Sequence, residues 1–339
     1  MPGTPGAPIM SVLLGPCDDL RAEVYVRVVV DPEGAASTAV RVEGTLRGPE
    51  CRRAVTLPVT ASVVDLGGGG PPGVAVGRVV LTEPSFWTPQ VPSLYRLDVR
   101  VMAGSRELAA WTRRIGLRRL GVRGRSFWLD GHRWVPRAVG LAADVFDAAM
   151  CRGSAAAALV VDPPEELLAR ADEEGVAILA RLSNDATAAS DPAALAARLA
   201  EWSRHPSVAL AVFPRGWSPE VVESIVAATR QVRGTMLLAR AVAGLEPPPK
   251  SSSGCDALVV ELTPDAVPDA AWRTVPAVPL VACRATAAAG DVATGRQACD
   301  RLQADLATWH LAAGAAHVPW DWAGYAIALE GGCPQSPRG

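Results

Sequence analysis

The chain has 339 residues, 49% of them hydrophobic, so it can bury a substantial core and is expected to form about two domains. The formal net charge is −2 with acidic and basic residues interspersed, which excludes the basic surface that nucleic-acid or anionic-membrane binding needs. Seven widely spaced cysteines without a CxxC pair argue against a disulfide framework or a zinc site.

No basic leader begins the chain, and no apolar run reaches the roughly 18 residues of a membrane helix. We therefore predict a cytoplasmic protein. No Gly-rich phosphate loop, HExxH motif or other metal-ligand spacing occurs, so we expect no cofactor and no metal.

Residues 1–19 are rich in Pro and Gly, which predicts a disordered or loosely docked tail. From Arg21 onward, Gly-, Pro- and Asp-rich turns separate short β-branched runs at 22–30, 39–46, 54–64, 74–81, 94–102 and 107–115. Several runs alternate apolar and polar residues, as in YRLDVRV. This spacing predicts an antiparallel β-sandwich over residues 20–118.

A linking hairpin is predicted over residues 119–136. Its core is FWLDGHRWV, in which two apolar arms flank the Asp-Gly pair that a type I′ turn favours. We expect Trp128 and Trp134 to pack against the floor of the domain that follows.

After residue 136 the pattern changes to short apolar strands that alternate with helices. The strands are predicted at 137–141, 156–161, 176–182, 207–213, 235–240, 257–262, 278–283 and 316–320. Helices are predicted at 144–152, 164–174, 192–204, 219–232 and 296–313, whereas the crossover near 264–272 is weak. Asp162 is interpreted as a helix N-cap. The alternation predicts a (β/α)8 barrel over 137–330 and a tail at 331–339.

Several motifs resemble glycoside hydrolase family 2, which contains β-galactosidases, β-glucuronidases and β-mannosidases. FWTPQVPSLY at 86–95 and IGLR at 115–118 are similar to runs near the end of its immunoglobulin-like domain. FWLDG at 127–131 resembles the hairpin before its barrel, and RHPSV at 204–208 resembles the entry to its fourth barrel strand. The resemblance implies an immunoglobulin-like β-sandwich followed by a TIM barrel.

The same resemblance implies that the catalytic positions have changed. The family's fourth strand ends in Trp-Ser-x-Gly-Asn-Glu, and matching AVFPRG to it places Arg215 at the Asn and Gly216 at the general acid/base Glu. PLVACR places Arg284 at the nucleophilic Glu of the seventh strand. Glycine has no proton to donate, and a guanidinium cannot attack carbon. The Arg-x-x-His-Tyr-Pro run after the second strand is also reduced to a proline, so no catalytic residues are expected.

Other residues near predicted strand ends stay as alternatives. HVPWDWAGY resembles the family's eighth-strand ending and implies Trp320 as a sugar platform, with packing as the alternative. Glu261 and Asp321 are the fallback catalytic carboxylates, whereas Asp162 and Asp185 are expected to serve as a cap and a solvated group. His205 is expected to make a structural contact at the opposite end of the barrel.

Arg215 and Arg284 add a further hypothesis about the ligand. If both face the barrel mouth, the site would prefer an anion such as a uronate or phosphate. The alternative is that each points to solvent or pairs with a nearby acid.

Three functions remain open from the sequence. The first is a pseudo-glycosidase that binds carbohydrate at the barrel mouth without hydrolysing it. The second is an active β-glycosidase that uses displaced carboxylates, and the third is a structural or protein-interaction module. Only a short tail precedes the sandwich, so the family's N-terminal jelly roll is expected to be missing or supplied by another chain. The oligomeric state stays open.

Overall fold

The computed structural model describes residues 8–30, 40–67, 73–184, 191–230, 234–274, 276–286, 291–312, 314 and 320–329. The chain divides into two compact units, Met1–Leu117 and Arg118–Gly339. Each unit contains its own cluster of buried apolar side chains. The predicted order of a β-sandwich followed by a (β/α)8 barrel is confirmed.

The first unit is an antiparallel β structure. Its strands are β1 (Ile9–Cys17), β2 (Arg21–Val29), β3 (Val40–Glu50), β4 (Val59–Asp65), β5 (Val74–Thr82), β6 (Leu94–Ala103) and β7 (Arg106–Ile115), in the spatial order β1-β2-β5-β4-β3-β6-β7. β4 pairs with β3 over Val59–Val63 and with β5 at Val64 and Asp65. Alternate side chains from both halves of the sheet enter one core, which gives the sandwich-like packing.

The first strand corrects the prediction that residues 1–19 form a tail. β1 pairs antiparallel with β2 from the Ile9–Val29 pair to the Cys17–Ala22 pair, and Met10 is fully buried in the core. The pairing satisfies the backbone hydrogen-bonding groups of β1, and burial of Met10 offsets the cost of ordering the segment. Residues 1–7 lie outside the described residues.

The second unit contains a closed barrel of eight parallel strands. They are β11 (Arg137–Gly140), β12 (Ala157–Val161), β13 (Ile178–Arg181), β14 (Val208–Phe213), β15 (Leu237–Ala243), β16 (Ala257–Leu262), β17 (Leu280–Thr286) and β18 (Gly324–Leu329). The helices are α1 (Ala148–Gly153), α2 (Glu165–Glu174), α3 (Pro192–Ser203), α4 (Pro219–Thr229) and α5 (Val292–Leu311). In the weak crossover before β17, the one helical element among the described residues is a 3-10 turn, Ala270–Arg273.

A three-stranded antiparallel sheet precedes the barrel: β8 (Leu120–Arg123), β9 (Ser126–Leu129) and β10 (His132–Trp134). Phe127 and Leu129 join the apolar cluster of the barrel interior, and Trp134 packs against it. The inward residues at the starts of the barrel strands are small, as at Ala138, so the hairpin fills the floor that they leave open. The prediction for Trp134 is confirmed, whereas Trp128 lies beneath the guanidinium of Arg123 at 4.8 Å.

The eighth barrel strand was predicted wrongly at 316–320. The strand that closes the barrel is β18, which pairs with β17 from Gly324 onward and with β11 from Tyr325 onward. The sequence of β18, GYAIAL, is a short apolar run that resembles a helix segment as closely as a strand, so periodicity could not identify it. Residues 315–319 lie outside the described residues.

A buried polar network fixes the start of β14. Asp172 on α2 accepts hydrogen bonds from the backbone N–H of Ser207 at 2.9 Å and pairs with Nδ1 of His205 at 2.7 Å. Arg118, 3% exposed, donates to the carbonyl oxygens of Pro206 and Val208. The RHPSV motif is therefore held from two sides at the N-terminal end of the barrel, and the predicted structural contact of His205 lies there.

Asp172→Asn tests this network. The change removes the charge opposite His205 and the strong acceptor for Ser207, so the free energy of unfolding should fall by about 3–5 kcal/mol. Urea denaturation measures the loss. Asp321→Asn is the matched control, because Asp321 pairs with Arg133 at the surface and is 75% exposed, so its loss should stay below about 1 kcal/mol. Equal losses in the two variants would contradict the assigned role.

The same network makes stability depend on pH. Burial by itself lowers the pKa of His205, but the hydrogen bonds and charges of Asp172 and Glu165 outweigh burial and raise the pKa above 6.5. The stabilisation is therefore complete below the unfolded-state pKa of about 6.5 and is lost as pH rises through the folded-state pKa. We expect the free energy of unfolding to decline across that window, measured by urea denaturation, and His205→Gln to flatten the decline. An unchanged pH slope in the variant would refute this.

Candidate functional site

The candidate site lies where the barrel strands end, because the carboxyl ends of parallel barrel strands meet at one rim. Arg181 is the last residue of β13, and Glu261 is the penultimate residue of β16. Leu179 and Val259, two positions earlier on these strands, belong to the interior cluster, so Arg181 and Glu261 share the inward face. This rim is called the barrel mouth below.

Arg181 and Glu261 form a buried ion pair at the mouth. Nη2 of Arg181 lies 2.7 Å from Oε1 of Glu261, and both side chains are 7% exposed. Removing two charges from water is favourable only when they are closely paired, and this geometry satisfies that requirement. Glu261, the fallback catalytic carboxylate, is therefore held in an ion pair with the guanidinium of Arg181.

Arg215 and Gly216 follow β14 at the same rim. Nε of Arg215 lies 3.9 Å from Oε2 of Glu261, and the Arg215 side chain is 41% exposed. A Cβ at position 216 would lie 2.8 Å from Oδ1 of Asn184, so a side chain there would require Asn184 to move. Arg215 therefore lies beside Glu261 at the mouth, where its binding role stays a prediction, and Gly216 presents backbone only.

Arg284 does not face the mouth, which corrects its predicted binding role. On β17, Val281 and Cys283 belong to the interior cluster, whereas Leu280 and Ala282 pack in the layer outside the barrel. Arg284 follows the outward set: its Nη1 lies 2.6 Å from Oδ2 of Asp305 on α5. The alternative that this arginine pairs with a nearby acid therefore holds.

Trp320 and Asp321 also lie away from the mouth. Both precede β18, at the rim where the parallel strands begin. The eighth strand is predicted to end at residue 320, but β18 starts only at Gly324. Trp320 is 5% exposed, and its Nε1 donates to the carbonyl oxygen of Arg273 at 3.3 Å. Trp320 is therefore a packing residue, and Asp321 cannot oppose Glu261 across the mouth.

The remaining carboxylates of the sequence analysis have separate outcomes. Asp162 follows β12 with a φ of 46° and accepts a hydrogen bond from the backbone N–H of Ser183 at 3.2 Å. Its Oδ1 also lies 3.0 Å from Arg198. The predicted N-cap role is wrong, because Pro164 occupies the cap position of α2. Asp185 lies outside the described residues.

A cavity of about 300 Å³ opens between β18, β11, β12 and β13 at the mouth. Residues 140–143, Leu159, Val161 and Ala328 supply an apolar lining, and Arg181 is the one charged side chain among the described residues that line it. Gly140 and Ala328 are small, which leaves this volume open. The cavity is therefore apolar with a single cationic contact.

The chemistry available at the mouth follows from these groups. Retaining glycosidases place two carboxyl groups about 5–5.5 Å apart, and inverting ones place them about 6.5–9.5 Å apart. Of the acids weighed from the sequence, Glu261 and Asp162 lie at this end of the barrel. Glu261 is salt-bridged to Arg181 and Asp162 to Arg198. Within the described residues, no group of three metal-ligating side chains occurs and no helix is long and apolar enough to span a membrane. At the described residues of the mouth, each of these two carboxylates is therefore paired with a guanidinium.

A known protein family matches the N-terminal part of the chain. Residues 15–118 match the family described as glycosyl hydrolases family 2. The resemblance to this family is confirmed. A comparison with curated proteins found no match.

Solved structures resemble this family 2-like chain in fold. β-Glucuronidase from Ruminococcus gnavus has 15% identity and a TM-score of 0.63, with 94% of this chain and 60% of that chain covered. The Bifidobacterium dentium β-glucuronidase complexed with coumarin-3-O-glucuronide has 13% identity and a TM-score of 0.63, covering 96% and 61%. The Parabacteroides merdae β-glucuronidase has 13% identity and a TM-score of 0.59, covering 96% and 47%. The chain thus spans about half to three fifths of these structures.

Arg181 is the residue of the candidate site that the sequence motifs did not predict. It ends the strand ILAR, in which every residue is buried. A charged residue at the inward end of a fully apolar barrel strand was a usable signal, because burial of an unpaired charge is costly and demands a partner. Glu261, the penultimate residue of the similar run ALVVEL, carries the complementary signal.

Arg181→Met tests whether the ion pair holds the mouth together. The variant removes the close cation and leaves buried Glu261 with only the more distant, partly exposed Arg215, so the free energy of unfolding should fall by up to about 3–5 kcal/mol. The double variant Arg181→Met with Glu261→Gln should recover most of that loss, because no isolated charge remains. Urea denaturation measures both. Arg284→Met is the control on the outer face, and a loss there as large as in Arg181→Met would contradict the assignment.

Proposed function

We propose that this chain is a non-hydrolysing relative of the glycoside hydrolase family 2 enzymes, and that its barrel mouth binds a ligand. Carbohydrate is the ligand class that the family resemblance favours, since solved structures of similar fold include β-glucuronidases with bound glucuronide-type compounds. A role in carbohydrate metabolism in the cytoplasm is part of this proposal.

The observation that carries the proposal is that Glu261 is buried and paired with Arg181. A general acid must hold a proton and a nucleophile must approach the anomeric carbon, but Glu261 is 7% exposed and lies against Arg181. Because Oε1 of Glu261 is engaged by Arg181 and the side chain is buried, either role would require the ion pair to break. The matched acid/base position holds Gly216.

Displaced-carboxylate catalysis, the enzymatic alternative, is weakened by the same geometry. Its two groups were Glu261 and Asp321, and Asp321 precedes β18 and pairs with Arg133. The third alternative, an interaction module without a sugar ligand, receives support from no specific contact in the described residues.

Aryl β-galactoside, β-glucuronide and β-mannoside substrates test the proposal directly. We expect turnover by the purified protein to equal that of Glu261→Gln, because neither protein has a working acid and nucleophile. Asp321→Asn is the matched control, since it removes a carboxylate at the other end of the barrel. Turnover that Glu261→Gln abolishes and Asp321→Asn preserves would overturn the proposal.

Ligand binding is tested separately by thermal unfolding in a saccharide screen. Specific binding to the folded state should raise Tm in proportion to the logarithm of ligand concentration over Kd. Absence of any shift, together with a co-purifying protein, would favour the interaction module instead.

A further inference from the structure

The cavity beside Arg181 has a composition that suits a different ligand from a neutral sugar. Its side-chain lining, Leu159, Val161 and Ala328, offers no hydrogen-bond partner, and Arg181 alone supplies charged donors. A sugar carries a hydroxyl on most carbons, and each buried hydroxyl without a partner costs free energy. The lining therefore favours an apolar body with one anionic end.

The charge at the mouth supports an anion. Glu261 is 2.7 Å from Arg181 and 3.9 Å from Arg215, so one carboxylate lies between two guanidiniums. The nearby Asp162 has its own cation in Arg198. Among these described groups one positive charge remains in excess, and a ligand carboxylate can balance it. A guanidinium presents its N–H donors in a planar fork that matches carboxylate geometry.

The volume limits the size of the ligand. A water molecule in the liquid occupies about 30 Å³, so a cavity of about 300 Å³ corresponds to roughly ten such molecules. This is the size of a compact aromatic or branched aliphatic acid, and it is small for a disaccharide. Gly140 and Ala328 set the volume, because a larger side chain at either position would enter the cavity.

We propose that the cavity between β18, β11, β12 and β13 binds a monocarboxylic acid with a compact apolar body, whose carboxylate contacts Arg181. This site rests on the proposed function only in that the mouth binds rather than hydrolyses. The apolar body lies against Leu159, Val161 and Ala328. The excess cationic charge that Arg215 contributes strengthens the attraction for the acid.

Calorimetric titration with sodium benzoate and with benzamide tests the charge requirement. The two compounds have nearly the same shape and differ in charge, so we expect benzoate to bind at least tenfold more tightly. Equal affinity, or no benzoate binding, would overturn the inference. Glucose is the neutral sugar comparison and is expected to bind more weakly than benzoate.

Two variants locate the site independently. Ala328→Leu fills the cavity without touching the ion pair and should weaken benzoate binding at least tenfold. Arg181→Met with Glu261→Gln removes the charges together and should also abolish the preference for benzoate over benzamide. Arg284→Met removes a guanidinium on the outer face and should leave the affinity unchanged. If the double variant does not fold by circular dichroism, Ala328→Leu decides, and unchanged binding in it would refute the site.

The two proposals can fail separately. Glycoside turnover that depends on Glu261 would refute the non-hydrolysing function whatever benzoate does. Absence of benzoate binding in a protein that also lacks turnover would refute only the acid-binding cavity.

Discussion

The carboxylate of Asp172 is the constraint on which the geometry of the mouth depends, although it lies at the other end of the barrel. It holds His205 and the N–H of Ser207, while Arg118 holds the carbonyl oxygens on either side. The entry to β14 is thereby fixed. Because side chains alternate along a strand, the start of β14 also determines which of its residues face inward at the end.

An irregularity directly after this anchor changes that alternation. Val208 pairs with Ile178, but the next partner of β13, Leu179, pairs with Leu210, so β14 has one extra residue at this point. Beyond it, Val212 faces the barrel interior and Phe213 packs against the helices. A bulge of this kind changes the face of the sheet toward which the following side chains point. The anchored start and the bulge together place Arg215 near Glu261.

Much of the fold could be predicted from the sequence because its determinants are local. Apolar runs of strand length, proline at helix starts and the Asp-Gly turn all identify elements without tertiary information. Two wrong predictions, the N-terminal tail and the position of the eighth barrel strand, share a cause. β1 is stabilised by its pairing with β2, and β18 by pairing with β17 and β11, and neither partner is visible in the local pattern. At the mouth, motif matching located Arg215 but could not tell that Arg284 faces α5.

The two ends of the barrel are built on opposite principles. At the floor, small inward residues such as Ala138 make room for Phe127 from the hairpin, and apolar packing closes the end. At the mouth, Arg181 and Glu261 occupy the inward positions, and a cavity remains beside them. A buried ion pair contributes less to stability than apolar residues of the same volume would. Apolar packing therefore closes the floor, whereas the mouth keeps a buried ion pair and an open cavity, which is the volume that the proposed ligand would occupy.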